Sequence, residues 1–289
     1  MFSFNKQITN INRSKPNLTI VTCWYLLKSK FTVEKYVSWI HNFLSVVNNN
    51  NVNVVLYTDL SSFALISSLV RGKNVKIVFK NFENFYTYKF KDDWIKNHNK
   101  GNLLLHKETS WMLNMLWNEK IFFIQDTIHK KYFDTSLYAW CDIGYFRNGF
   151  DDLNTKFLKG RWPNNYKLTK EPFSIPYIHY GCIQKDNSVF VSLQSKIKSF
   201  YKEKKEGDPN PDYNVNCFAG GFFLIHRQLI VYYAKIYADK LQSYFSNNYF
   251  IKDDQTIIMD IIFNNPNLFY IHNELTKYNN WFMFQRILL

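Results

Sequence analysis

The chain has 289 residues, of which 46% are hydrophobic and 19% aromatic, and its formal charge is +13. That composition excludes a disordered polyampholyte, and the length allows one large domain or two small ones with a substantial core. The positive charge goes with abundant Lys, Asn, Phe, Tyr and Ile and scarce Arg, the bias of an AT-rich genome, while a phosphate-bearing partner is the competing explanation.

Residues 1–17 lack an apolar stretch of signal-peptide type and read as a flexible segment. After Pro16-Asn17, the β-branched and aromatic run LTIVTCWY (18–25) predicts a strand. Val33, Val37, Ile40, Leu44 and Val47 then recur at helical spacing behind Thr32, a candidate N-cap. NVVLYTD (53–59) predicts a second strand, a helix-like stretch runs to Leu69, and NVKIVFK (74–80) predicts a third strand. This alternation is the signature of a parallel α/β sheet. Residues 81–106 read as a long loop with short helices, and one helix is expected over 109–131, with Leu113, Leu116, Trp117 and Lys120 among its residues.

SLYAWCDIG (136–144) predicts a short buried strand paired with NCFAGGFFLIH (216–226), where Gly220 and Gly221 imply close approach to the backbone. That second run, among the longest apolar stretches, falls far short of the about 20 residues that cross a bilayer, and no transmembrane segment is expected. Helices are expected at 188–205, 228–246 and 254–263, and GDPNPDYN (207–214) reads as a turn-rich loop. The four cysteines, Cys23, Cys141, Cys182 and Cys217, form no CxxC pair. They read as reduced and mostly buried, and a cytoplasmic location is expected. One domain over 18–289 is the simplest organisation, with halves at 18–148 and 149–289.

In open α/β sheets ligands bind outside the carboxyl ends of the strands. Thr22, Asp59 and Asp142 fall at such ends, in three separate segments. An acid there can ligate a divalent cation that bridges phosphates, and Arg147 can accept a phosphate as a fork. The competing role of Asp142 is a turn residue bonded to its own backbone, and that of Asp59 is a helix cap, since Ser61-Ser62 follow it.

The segment HKETSWMLNMLWNEKIFFIQDTIHKKYFDTSLYAWCDIGYFRN (106–148) resembles the middle of the HtrL/YibB family, in which W-N-E-K leads to a W-x-D-x-G strand end. LTIVTCWY, VVLYTD and Arg71 resemble the family's opening, and CFAGGFFLIHRQLI and FIKDDQTIIMDIIFNNPNLF its closing G-G and D-Q elements. The likeness spans most of 18–270 in order. It implies a GT-A-like (Rossmann-like) fold, with a mixed, mainly parallel central sheet flanked by helices. It also implies a glycosyltransferase moving sugar from a nucleotide-sugar donor, with UDP-sugar the first choice, to a glycan or other hydroxyl acceptor in surface-polysaccharide or glycoprotein-glycan synthesis. On that likeness 18–148 binds the nucleotide sugar and 149–289 faces the acceptor.

Asp142 stands where such enzymes carry an Asp-x-Asp metal motif, but Gly144 occupies the second position. The expectation is Mn²⁺ or Mg²⁺ held by Asp142, with His272 a late metal ligand; phosphate binding by lysine and arginine without metal is the rival. Lys120 and Arg147 are expected to stabilise the leaving diphosphate, and Thr22, Asp59 and Arg71 to hold the nucleoside. Gly220 and Gly221 would lie against the sugar or diphosphate. Asp253, Asp254 and Gln255 open the helix after Lys252; Asp254, and less so Asp253, is the candidate base or sugar ligand, and Gln255 a donor contact. Trp281 and Phe282 could stack on a sugar, with core packing the competing role. Two other functions remain in view: a silent nucleotide-sugar- or glycan-binding protein of the same fold, and a basic nucleic-acid-binding protein. Against the second, no nucleic-acid motif or basic stripe is present, so no nucleic-acid partner is expected.

Overall fold

Seven residues rich in β-branched and aromatic side chains, Leu18–Trp24, form the first strand, β1, and all but one of them are buried. The computed structural model describes residues 17–289 except 49, 50, 71, 73, 102, 103, 150, 151, 211, 276 and 277. Thr32 has extended backbone angles and its hydroxyl accepts the Lys35 N–H, so helix α1 (Val33–Val47) begins where the sequence places it. The chain continues through β2 (Val52–Thr58), α2 (Leu60–Ala64) and β3 (Val75–Phe79). Four helices follow, α3 (Lys91–Lys100), α4 (Leu104–Glu108), α5 (Trp111–Trp117) and α6 (Lys120–His129), before β4 (Leu137–Cys141). Short α7 (Thr155–Leu158) and α8 (Asn165–Leu168) precede β5 (Ile178–Cys182), and α9 (Asn187–Glu203) precedes β6 (Phe218–His226). The remainder is α10 (Ile230–Ser246), α11 (Asp254–Asn264), β7 (Phe269–His272) and α12 (Met283–Ile287).

All strands join one seven-stranded sheet in the order β3-β2-β1-β4-β6-β5-β7. Its pairs are parallel except those of β6, which is antiparallel to β4 and β5. This is the mixed, mainly parallel sheet flanked by helices that the family resemblance implies. From β1 the chain winds outward to β3, then crosses back to lay β4 on the other side of β1. The strand order therefore reverses between β1 and β4, and a crevice opens there at the carboxyl ends. The two sequence halves share this sheet, since β6 pairs with β4.

Strand alternation divides the core. Tyr138 and Trp140 of β4 face a layer built from α5, α6, α10 and α11, whereas Leu137, Ala139 and Cys141 face α1 and α12. All four cysteines are free, and all but Cys23 are buried. No helix among the described residues is long and apolar enough to cross a membrane.

Three elements differ from the sequence expectation. The helix expected over 109–131 is two, broken at Asn118-Glu119. The break is pinned from outside: Tyr237 Oη donates to Asn118 Oδ1 at 2.7 Å, and Glu119 accepts from Tyr86 N, Thr87 N and Thr87 Oγ1 at 2.8, 2.9 and 2.7 Å. β5 and β7 are additional strands, of five and four residues, too short to show a period.

Candidate active site

β4 ends at Cys141, so Asp142 is the first residue past the strand, and its N–H still donates to Gly221 O at 2.8 Å. Residues two apart on an extended chain share a face, and Trp140 Nε1 donates to Asp142 Oδ1 at 2.7 Å. The break before α6 brings Lys120 to the same rim. Its Nζ lies 3.2 Å from Asp142 Oδ1 and 2.8 Å from Asp254 Oδ2, and donates to Gly220 O at 2.7 Å. The ammonium is thus enclosed by two carboxylates and a carbonyl oxygen.

The acids of KDDQ divide their work. Asp253 is the N-cap of α11 and accepts from Gln255 N at 3.1 Å. Asp254, first in the helix, is buried against Gly220, where a Cβ would come within 2.7 Å of its Oδ2. A Cβ on Gly221 would stand 2.9 Å from Trp281 Nε1 and 3.5 Å from Asp142 Oδ2. Close approach to this strand is therefore made by the protein's own carboxylates and indole, which is why neither position accepts a side chain. Gln255 Nε2 donates to Phe218 O at 2.7 Å, tying α11 to β6.

Burial pushes the Asp254 carboxyl up to about 7; Lys120 pulls it down, while Asp253 and Asp142 push it further up. Burial alone would lower the Lys120 pKa, but Asp142 and Asp254 outweigh it and hold the ammonium above its ordinary value. The cluster thus keeps Lys120 charged and leaves Asp254 able to exchange a proton near neutrality.

These groups sit where two lobes of a cleft meet. An aromatic lobe lies beside β1, walled by Tyr25, Leu27, Leu113, Leu116 and Trp140. A polar lobe is walled by Lys30, Gly220, Asp253, Asp254, Gln255 and Trp281. Phe31, Tyr36, Trp117, Lys120, Asp142 and Arg147 line both. The Arg147 guanidinium lies 4.6 Å from the Trp39 ring, 5.5 Å from Phe282 and 5.6 Å from Phe31, and Nε donates to Gly144 O at 2.9 Å. Among the described residues it forms no ion pair. Phe282 itself is buried in the core, whereas Trp281 reaches the polar lobe.

The structure therefore brings together Asp142, Lys120, Arg147, Gly220, Asp253, Asp254 and Gln255 from the sequence-derived set. Other members lie elsewhere. Thr22 is buried within β1 and walls neither lobe. Asp59 caps α2, accepting Ser62 N at 2.7 Å and Ser61 Oγ at 2.8 Å, the competing role noted for it. Arg71 lies outside the described residues. His272 is buried in β7, stacked on Phe173, with Nε2 3.1 Å from His179 Nδ1; burial lowers its pKa to about 4.

Asp142 and His272 are not brought together, and no group of three or more potential ligands occurs among the described residues. The two carboxylates that face each other at the cleft share one cation, the Lys120 ammonium.

Sequence reasoning overlooks the aromatic lobe and Lys30. Trp140 carried a usable signal, since two residues along a strand return to the same face as Asp142. The others are concealed by a chain in which 19% of residues are aromatic.

A mixed, mainly parallel α/β protein with a two-lobed cleft at the strand-order reversal is the class that fold and site define. No protein-family model matches the sequence, and no curated protein is similar to it. A solved structure, that of "a glycosyltransferase involved in the glycosylation of the major capsid of PBCV-1", is similar over 89% of this chain and 82% of its own, with 10% identity and a TM-score of 0.37. That likeness is too distant to carry an argument about this chain's activity.

Proposed function

We propose that the protein is a glycosyltransferase that takes a nucleotide sugar in this cleft, with the nucleoside in the aromatic lobe and the sugar in the polar lobe. One observation carries the reading: a buried carboxyl, Asp254, with a pKa near 7, stands at the junction of an aromatic slot and a polar one, beside fixed cations. The motif resemblance to the HtrL/YibB family supports the same reading. Its finer content, a UDP-sugar donor and a glycan acceptor in surface-polysaccharide or glycoprotein-glycan synthesis, follows from that resemblance.

In the proposed reaction the acceptor oxygen bonds to the anomeric carbon as its proton passes to Asp254. The anomeric C–O bond to the diphosphate breaks, and the nucleoside diphosphate leaves with the electron pair. A base with pKa near the working pH is efficient. Asp142 fixes Lys120 beside Asp254, and two other cations that line the polar lobe, Lys30 and Arg147, offset the negative charge that builds on the leaving group. Trp281 offers a flat apolar face to the sugar.

The test is a panel of UDP-, GDP- and dTDP-sugars, followed by thermal shift and by nucleoside diphosphate release. Stabilisation by one donor together with its consumption supports a transferase. Stabilisation without consumption, with any saccharide acceptor, favours a silent nucleotide-sugar-binding protein. No response to any donor would overturn the proposal.

A further inference from the structure

We infer that the cleft binds the diphosphate of its nucleotide through Lys30 and Arg147, without a divalent cation. This deepens the glycosyltransferase reading and rests on it. The cations of the cleft fall into two kinds. Lys120 is buried, pairs with Asp142 and Asp254 and donates to Gly220 O, so it neutralises the protein's own acids. Lys30 and Arg147 form no ion pair among the described residues, yet both line the polar lobe next to those acids.

Their settings suit an anion. The Arg147 guanidinium lies over the Trp39 and Phe31 rings, and its Nε is spent on Gly144 O. The fork of terminal nitrogens is left as the part available to a ligand, and such a fork matches two phosphate oxygens. Gly144 preserves this packing: a Cβ there would come within 2.9 Å of Trp39 Cε3. Lys30 sits between β1 and α1, exposed, with Nζ 5.9 Å from the Trp117 ring that borders both lobes. One cation is thus packed and one exposed, at the junction where a diphosphate would join a nucleoside in one lobe to a sugar in the other.

In a metal-dependent site of this type the ion would carry two tasks, joining the acids to the ligand and screening the phosphates. Here Lys120 performs the first and Lys30 with Arg147 the second.

The experiment is calorimetry with UDP, GDP and dTDP, each in EDTA and in Mn²⁺, alongside the corresponding nucleosides. It uses the wild type, Lys30→Ala, Arg147→Ala and Arg147→Lys, all checked for an unchanged fold by circular dichroism. A nucleoside diphosphate should bind in EDTA about as tightly as in Mn²⁺. Lys30→Ala and Arg147→Ala should each weaken it about tenfold or more, as expected for a charge-assisted hydrogen bond, with nucleoside binding unchanged. Arg147→Lys should restore part of the loss. Binding that requires Mn²⁺ would overturn this inference and leave the glycosyltransferase reading standing. Equal weakening of nucleoside and nucleoside diphosphate would overturn it too, as the two cations would then act on the shape of the cleft. Absence of nucleoside diphosphate binding under both conditions would overturn the inference and the reading together.

Discussion

Asp254 is an acid that folding holds back from ionising. Its carboxyl rises from 3.8 to about 7, chiefly through burial, so the folded protein binds its proton more tightly than the unfolded chain does. The stability from that proton is fully present below about pH 4 and is lost as the pH rises through about 7. Asp254→Asn should flatten this decline, read as the difference between urea midpoints at about pH 5 and about pH 8. The same substitution should lower turnover by about a hundredfold or more while nucleoside diphosphate binding stays within a few-fold, since only the proton acceptor is removed. In the wild type, turnover should rise with pH through about 7 as the base becomes available. Gly220 is the neighbouring test. A methyl there would stand 2.7 Å from Asp254 Oδ2, and Asp254 cannot retreat without leaving Lys120. Gly220→Ala should cost about 1–3 kcal/mol in a urea titration, as overpacking does, and lower turnover with it.

Between α5 and α6 lies the element that makes the site. Trp117, Asn118, Glu119 and Lys120 continue a helical period in the sequence, which is why the break is not readable there. The partners that pin it come from residues 86, 87 and 237, far away in the chain. Glu119 is fully buried, and burial pushes its carboxyl up to about 7 against the pull of Lys80 and the Thr87 and Tyr86 bonds. Glu119→Ala would strand the Tyr86 and Thr87 amides, a loss of about 2–5 kcal/mol, and should also displace Lys120. Denaturant unfolding measures the first effect and turnover the second. By contrast α1 and α11 are legible in sequence, since each joins a capping side chain, Thr32 or Asp253, to a buried apolar face. β5 and β7 are not, because runs such as IHYGC and FYIH carry too few residues for alternation to emerge.

At the scale of the whole molecule, the sheet class is legible because strands and helices alternate from residue 18 onward, and parallel pairing follows from the connections. Individual acids and bases of the cleft are also legible by type, but their meeting is a matter of tertiary packing: Lys120 joins Asp142 and Asp254 across more than a hundred residues of chain. The C-terminal segment completes the fold in a way its sequence does not announce. Phe282, Met283, Phe284 and Leu288 are buried against α1 and the sheet, and each fully buried side chain of this kind contributes about 1.5–3 kcal/mol. A chain lacking residues 280–289 should therefore lose most of the about 5–15 kcal/mol that holds a domain together and give no cooperative thermal melt. Gln285 adds a bond at each end of its amide, donating to Tyr145 O at 3.0 Å and accepting from Leu153 N at 2.8 Å, and so braces the loop that follows Asp142. The order of synthesis gives that brace a further meaning. Folding of the cleft must wait for residues 281–285, which are synthesised after every acid and base that lines it.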